Sequence, residues 1–79
     1  MEGSFDPYYK WLGISPKDQP PSHYRLLGID AFESDPEVIQ ATFNRQRMHV
    51  MTYRAGPHGS LAQQLLQEIG AARRKFLGA

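Results

Sequence analysis

Ser34-Asp-Pro-Glu-Val-Ile-Gln-Ala-Thr-Phe-Asn-Arg-Gln-Arg-Met-His-Val-Met-Thr-Tyr-Arg54 is the stretch whose reading decides the fold. It opens as a helix start: Ser34 or Asp35 caps free N–H groups, and Pro36 sits where its missing N–H costs nothing. Glu37 adds a negative charge in the first turn, beside the positive end of the helix dipole. No Gly or Pro follows until Gly56 and Pro57. Ile39, Phe43, Gln46, Val50 and Tyr53 recur at three- and four-residue steps, so they share one face of a long helix. Gln46 is the single polar member of that stripe. Gln40, Asn44, Arg45, Arg47 and Arg54 fall on the other side. Between Val38 and Arg54 there are three arginines and no acid, so the exposed side is basic.

A second long helix follows the loop Arg54-Ala-Gly-Pro-His-Gly59. Ser60 is its expected cap, and Leu61, Leu65, Ile69, Ala72 and Phe76 form one face, widened by Leu66 and Leu77. Gly70 lies inside this helix, where it weakens it by about 1 kcal/mol relative to Ala; close approach of the first long helix would account for it. Arg73, Arg74 and Lys75 occupy the last turn, where cations suit the dipole. Two long helices with a six-residue connection are expected to pack as an antiparallel hairpin.

The part before the hairpin reads as two short helices. Asp6-Pro7 starts the first, Tyr8, Tyr9, Trp11 and Leu12 give it an apolar turn, and Gly13 ends it. Three prolines between Ser15 and Ser22 make an extended linker. A second short helix starts at Pro21 or Ser22 and stops at Gly28. Tyr9-Lys-Trp-Leu-Gly-Ile14 is echoed by Tyr24-Arg-Leu-Leu-Gly-Ile29 at an offset of fifteen residues. Two short helices with the same ending explain that echo better than a repeat architecture, which needs more copies. Phe32 is expected to fold back on the long helix as a staple. Met1 to Ser4 reads as a patternless leader. An N-terminal lid, with Tyr8, Tyr9 and Trp11 packed over the hairpin, is a further expectation.

The expectation for the whole chain is therefore an all-α fold. A helical hairpin spans about 35–54 and 60–77, preceded by short helices over about 7–12 and 21–27. Residues 1–20 form a leader with its aromatic helix, and 21–79 form the main domain. Seventy-nine residues hold one core, and a chain this short buries only about 60% of its unfolded surface, so stability is modest. The absence of cysteine excludes disulfides, thiolate metal sites and a cysteine nucleophile. With no signal peptide and no apolar run of about 20 residues, the expectation is a cytoplasmic domain without a membrane partner.

From Tyr24 to Leu77 the pattern resembles the J-domain of DnaJ-type co-chaperones. Tyr24-Arg-Leu-Leu-Gly-Ile29 is similar to that family's opening Tyr-x-x-Leu-Gly-Val. Ser34-Asp-Pro-Glu-Val-Ile39 is similar to its second-helix start, with Ile39 and Phe43 on core positions. Glu68-Ile-Gly-Ala-Ala72 is similar to the Glu-Ile-x-x-Ala segment of its third helix. The preceding Trp-Leu-Gly-Ile and Gln-Pro-Pro stretches also resemble a bacterial version of the module, attached to serine/threonine kinase-like and other large proteins. The resemblance implies a short helix before an antiparallel pair, and a basic second-helix face that approaches a DnaK-type chaperone. The chain departs from the family at its functional tripeptide. Where the family carries His-Pro-Asp, this chain has His49-Val50-Met51 or, in the other register, Met51-Thr52-Tyr53. Pro57-His58 is in reversed order and cannot stand in for it. The resemblance thus implies the fold but not stimulation of a chaperone.

Little chemistry stands outside that resemblance. His23, His49 and His58 match no compact metal motif. Asp30, Glu33, Asp35 and Glu37 lie at or before a helix start, where dipole reasons alone favour acids. Ser34 and Ser60 read as caps rather than nucleophiles, and no glycine run cradles phosphate. No cofactor, metal site or enzymatic activity is expected. Partner binding is expected of Arg45, Arg47 and Arg54, with His49 and His58 near the hairpin tip. Arg73, Arg74 and Lys75 are possible additions; the plainer reading is a solvated helix face. An acidic protein surface, on a separate partner or on a neighbouring domain of a parent chain, fits better than nucleic acid. Tyr8, Tyr9, Trp11 and Tyr24 stand apart from the arginines in sequence, whereas base stacking wants the two interleaved.

Overall fold

The structure, a computed structural model, describes residues 5–78. Four α-helices follow one another: α1 (Pro7–Leu12), α2 (His23–Leu27), α3 (Pro36–Met51) and α4 (Gly59–Leu77). Among the described residues there is no strand. A single 3-10 turn, Pro16–Asp18, interrupts the stretch expected to be extended. The expected leader, Met1 to Ser4, lies outside the described residues.

Local sequence chemistry sets most of the helix ends. The side chains of Asp6, Ser22 and Asp35 accept from Tyr9 N, Arg25 N and Glu37 N at the starts of α1, α2 and α3. Of the two candidates for the α3 cap, Asp35 is the one used. Gly13 and Gly28 end α1 and α2 in the left-handed region, at φ 70° and 75°. Such positive φ is costly for residues with a Cβ. In both cases the next residue's N–H reaches back, Ile14 to Tyr8 O and Ile29 to Tyr24 O, each at 3.0 Å. The fifteen-residue echo is therefore a shared helix ending.

The long helices are antiparallel. Gln40, in the second turn of α3, bonds Arg73 near the end of α4 at 2.9 Å, while Arg54, beyond α3, lies against Gly59 at the start of α4. Ile39 and Val50 from α3 pack on Ala62, Leu65, Ile69 and Ala72 from α4, with Leu26 and Leu27 of α2 completing the cluster. Gln46 of the apolar stripe is half-buried, and its Nε2 donates to Leu26 O at 3.0 Å. Its polarity thus ties α3 to α2 without leaving an unpaired group.

Several expectations are corrected. α3 ends at Met51, and Tyr53 and Arg54 lie in the turn beyond it. α4 begins at Gly59 rather than at a Ser60 cap; His58 precedes it and makes no side-chain capping bond. Phe32 is not a staple. It is 85% exposed at φ 68°, with the Tyr24 ring 5.9 Å away. Gly70 does not make room for α3, because the nearest atom to an added Cβ would be Arg74 Nη1 at 3.7 Å. Gly59 is the close approach. A Cβ there would overlap the Arg54 carbonyl, because the chain turns back on itself within one loop.

Candidate functional site

The residues expected to bind a partner divide into two groups. His49 and His58 lie at the tip of the hairpin, and the N-terminal segment reaches both. His49 Nε2 is 2.9 Å from Trp11 O. A carbonyl only accepts, so this nitrogen carries the proton. The His58 ring stacks on Phe5, with centroids 3.9 Å apart and planes inclined by 14°. Between them, Trp11 stacks on Tyr53 at 4.4 Å and 13°, and His49 meets Tyr53 edge-on at 5.5 Å.

Trp11, 9% exposed, belongs to the core cluster, and Ile14 is fully buried. Tyr8 OH donates to Glu68 on α4. Withdrawal from water, then the bond to that carboxylate, pushes the Tyr8 phenol up to about 12, because both favour its neutral form. Arg25 Nη2 donates to Gly13 O at 3.4 Å and ties α2 to the end of α1. The two histidines therefore have internal partners. Phe5 carried no periodic signal in the sequence, and a ring fifty-three residues from His58 could not have been assigned to it from spacing.

Arg45, Arg47 and Arg54 are exposed. They do not form one stripe. At about 100° per residue, Arg45 and Arg47 stand roughly 160° apart around the α3 axis. Arg45 lies on the His49 edge, and Arg47 lies on the Gln40 edge that faces α4. Met48, 66% exposed, lies between them on the outward line with Ala41, which is also exposed. Arg73, considered for the same basic patch, is bound internally. Its Nε donates to Gln40 Oε1, and its guanidinium sits 5.5 Å over the Phe43 ring. Arg74 and Lys75 remain exposed.

A third feature was not foreseen. Beside the exposed Phe32 ring, Tyr24 packs on Phe76 at 4.7 Å, and His23 meets Phe76 edge-on at 6.2 Å. Among the described residues there is no pocket and no group of His, Cys, Asp or Glu arranged to hold a metal ion. Among the described residues no helix is long and apolar enough to cross a membrane.

Comparison with family models, curated proteins and solved structures returned no match.

Proposed function

We propose that this chain is a non-catalytic protein-interaction module with a J-like helical fold, which engages its partner through the outer face of α3. The observation that carries the reading is Met48. A methionine 66% exposed in the last turn of α3, with an arginine on either shoulder, offers an adaptable apolar contact inside a cationic frame. The ligand it suits is an acidic segment with an apolar anchor. Arg45 and Arg47 would steer and orient that segment, and Met48 would take its anchor. Arg54, exposed beyond the helix end, extends the cationic side toward the tip.

The J-like part of the proposal rests on three sequence motifs and on their helices occurring in the family's order: α2 ending at Gly28-Ile29, then the α3–α4 hairpin. The non-stimulating part rests on the tip. Val50 is fully buried, His49 and Met51 are helical, and Tyr53 lies under Trp11. In either register the stretch standing in place of His-Pro-Asp is helix or the turn directly after it, and it offers neither the proline nor the acid.

The test is an NMR titration of the isotopically labelled chain with a synthetic helical peptide bearing leucines on one face and glutamates beside them. Shifts centred on Ala41 to Met48, lost in an R45E/R47E double variant, are expected. Binding elsewhere, or none, would refute the assignment. Faster ATP hydrolysis by a DnaK-type chaperone on adding the chain would favour the co-chaperone reading. Duplex DNA binding that weakens steeply with salt would favour a nucleic-acid contact.

A further inference from the structure

The Asp30–Glu37 segment, a loop that runs into the first turn of α3, carries the counterpart of the outer face of that helix. It holds four acids, Asp30, Glu33, Asp35 and Glu37, and no base, whereas residues 38–54 hold three arginines and no acid. Each region presents a large apolar side chain to water: Phe32, 85% exposed, in the loop and Met48, 66% exposed, on the helix. Phe32 is held at φ 68°, a conformation unfavourable for a residue with a Cβ, and its ring lies 5.9 Å from that of Tyr24.

From these features we infer that the occupant of the α3 outer face is a second copy of this chain, docked through its Asp30–Glu37 segment with Phe32 as the knob. The inference rests on the reading of that face given above and names its partner. An aromatic ring suits Met48, since thioether sulfur makes favourable contacts with aromatic edges. It also suits Arg45 and Arg47, whose guanidinium groups are attracted to a ring face. The flanking carboxylates then meet the same arginines with opposite charge.

One molecule cannot satisfy itself. Glu37 and Met48 are roughly 16 Å apart along α3, at 1.5 Å per residue, and lie on a single rigid rod. The contact therefore runs head to tail, and a contact of unlike surfaces leaves a free knob and a free face at each end. The interface is small, so association is weak, with Kd on the order of 0.1–1 mM. Salt weakens it by screening the exposed charges.

Sedimentation velocity of the full chain, run from dilute solution up to about 1 mM, tests this in the weak-interface range. The expected result is a mass that grows past the dimer with concentration and falls back as salt is added. Two variants make the test specific. F32G removes the knob at a backbone position where glycine is at ease, and R45E/R47E reverses the receiving face. Each alone is expected to associate at least about 10-fold more weakly, as removal of a central anchor does. Mixed together they are expected to form a one-to-one pair that grows no further, because only one knob and one face remain intact.

A wild type that stays monomeric, or variants that associate as the wild type does, would overturn the inference. So would a dimer that never grows. If the wild type stays monomeric while the acidic peptide still shifts Ala41 to Met48, the second copy is excluded and the reading of the face survives. If neither occurs, both fall.

Discussion

The hairpin tip gathers several aromatic side chains and the loop before α3 carries one, Phe32, and the two regions cover their rings to very different degrees. At the tip every recorded aromatic has a partner: Phe5 with His58 and Trp11, Trp11 with Tyr53, and His49 with Tyr53 and the Trp11 carbonyl. In the loop, Phe32 stands in water at an unfavourable backbone angle. The tip is where a sequence comparison with J-domains would look for function, yet there the chain spends its side chains on itself. The most exposed large apolar side chains are Phe32 and Met48; Tyr9, expected in the N-terminal lid, and Val38 are exposed to a lesser degree.

The largest effect that could break this contrast is removal of the ring that closes the tip. Trp11→Ala should cost about 3 kcal/mol or more, from lost burial and the cavity left behind. Small domains have total stabilities of about 5–15 kcal/mol, so urea unfolding would move to much lower midpoints. A loss under about 1 kcal/mol would instead make the N-terminal segment a loose flap, since that is the range of surface changes. Gly59→Ala comes next. Its methyl group would collide with the Arg54 carbonyl, and relieving that overlap should cost about 1–3 kcal/mol in thermal or urea unfolding. An unchanged midpoint would mean the loop yields easily and the tip is less closely built than described.

Phe32→Gly sharpens the other side of the contrast. Removing a left-handed, exposed phenylalanine should raise stability by about 0.5–1 kcal/mol, the opposite sign from the tip substitutions. Destabilisation would show that the contact with the Tyr24 ring outweighs the backbone strain at φ 68°.

The smallest effect concerns pH. Tyr8, pushed up to about 12 from 10.0, holds its proton more tightly folded than unfolded. Its contribution is fully present below pH 10 and is lost as pH rises from 10 toward 12. In an ultraviolet absorbance titration the phenolic ionisation near pH 12 should disappear in Y8F. If Y8F removes an ordinary step near pH 10, the contact with Glu68 does not hold in solution.

How far the sequence could be read follows from the range of the forces involved. The Asp6, Ser22 and Asp35 caps and the Gly13 and Gly28 endings are settled within a few residues, and local spacing revealed them. The Ile39–Val50 stripe and its match in Leu65, Ile69 and Ala72 were legible because a helix repeats its buried face. Gln46 in that stripe looked like an irregularity until Leu26 O, twenty residues away, supplied its acceptor. His49 and His58 were placed correctly near the tip, but their partners lie too far off in sequence for periodicity to reach.

A list of exposed positions does not show how side chains are distributed around a helix, and Arg45 and Arg47 stand on opposite shoulders of α3. Arg73 joined that list because its pairing with Gln40 exists only once the hairpin has closed. Phe32 was misread for the same reason: an apolar residue just before a helix usually packs on it, and only the loop's path shows that this one does not.

The contrast between a closed tip and an open α3 face meets its most direct test in one measurement. The labelled chain is titrated with an ATP-bound DnaK-type chaperone, with amide shifts and ATP hydrolysis followed in the same samples. The expected result is unchanged hydrolysis and no shifts at His49 to His58. Faster hydrolysis with shifts across those residues would contradict it, and would make the hairpin tip the working surface of the molecule.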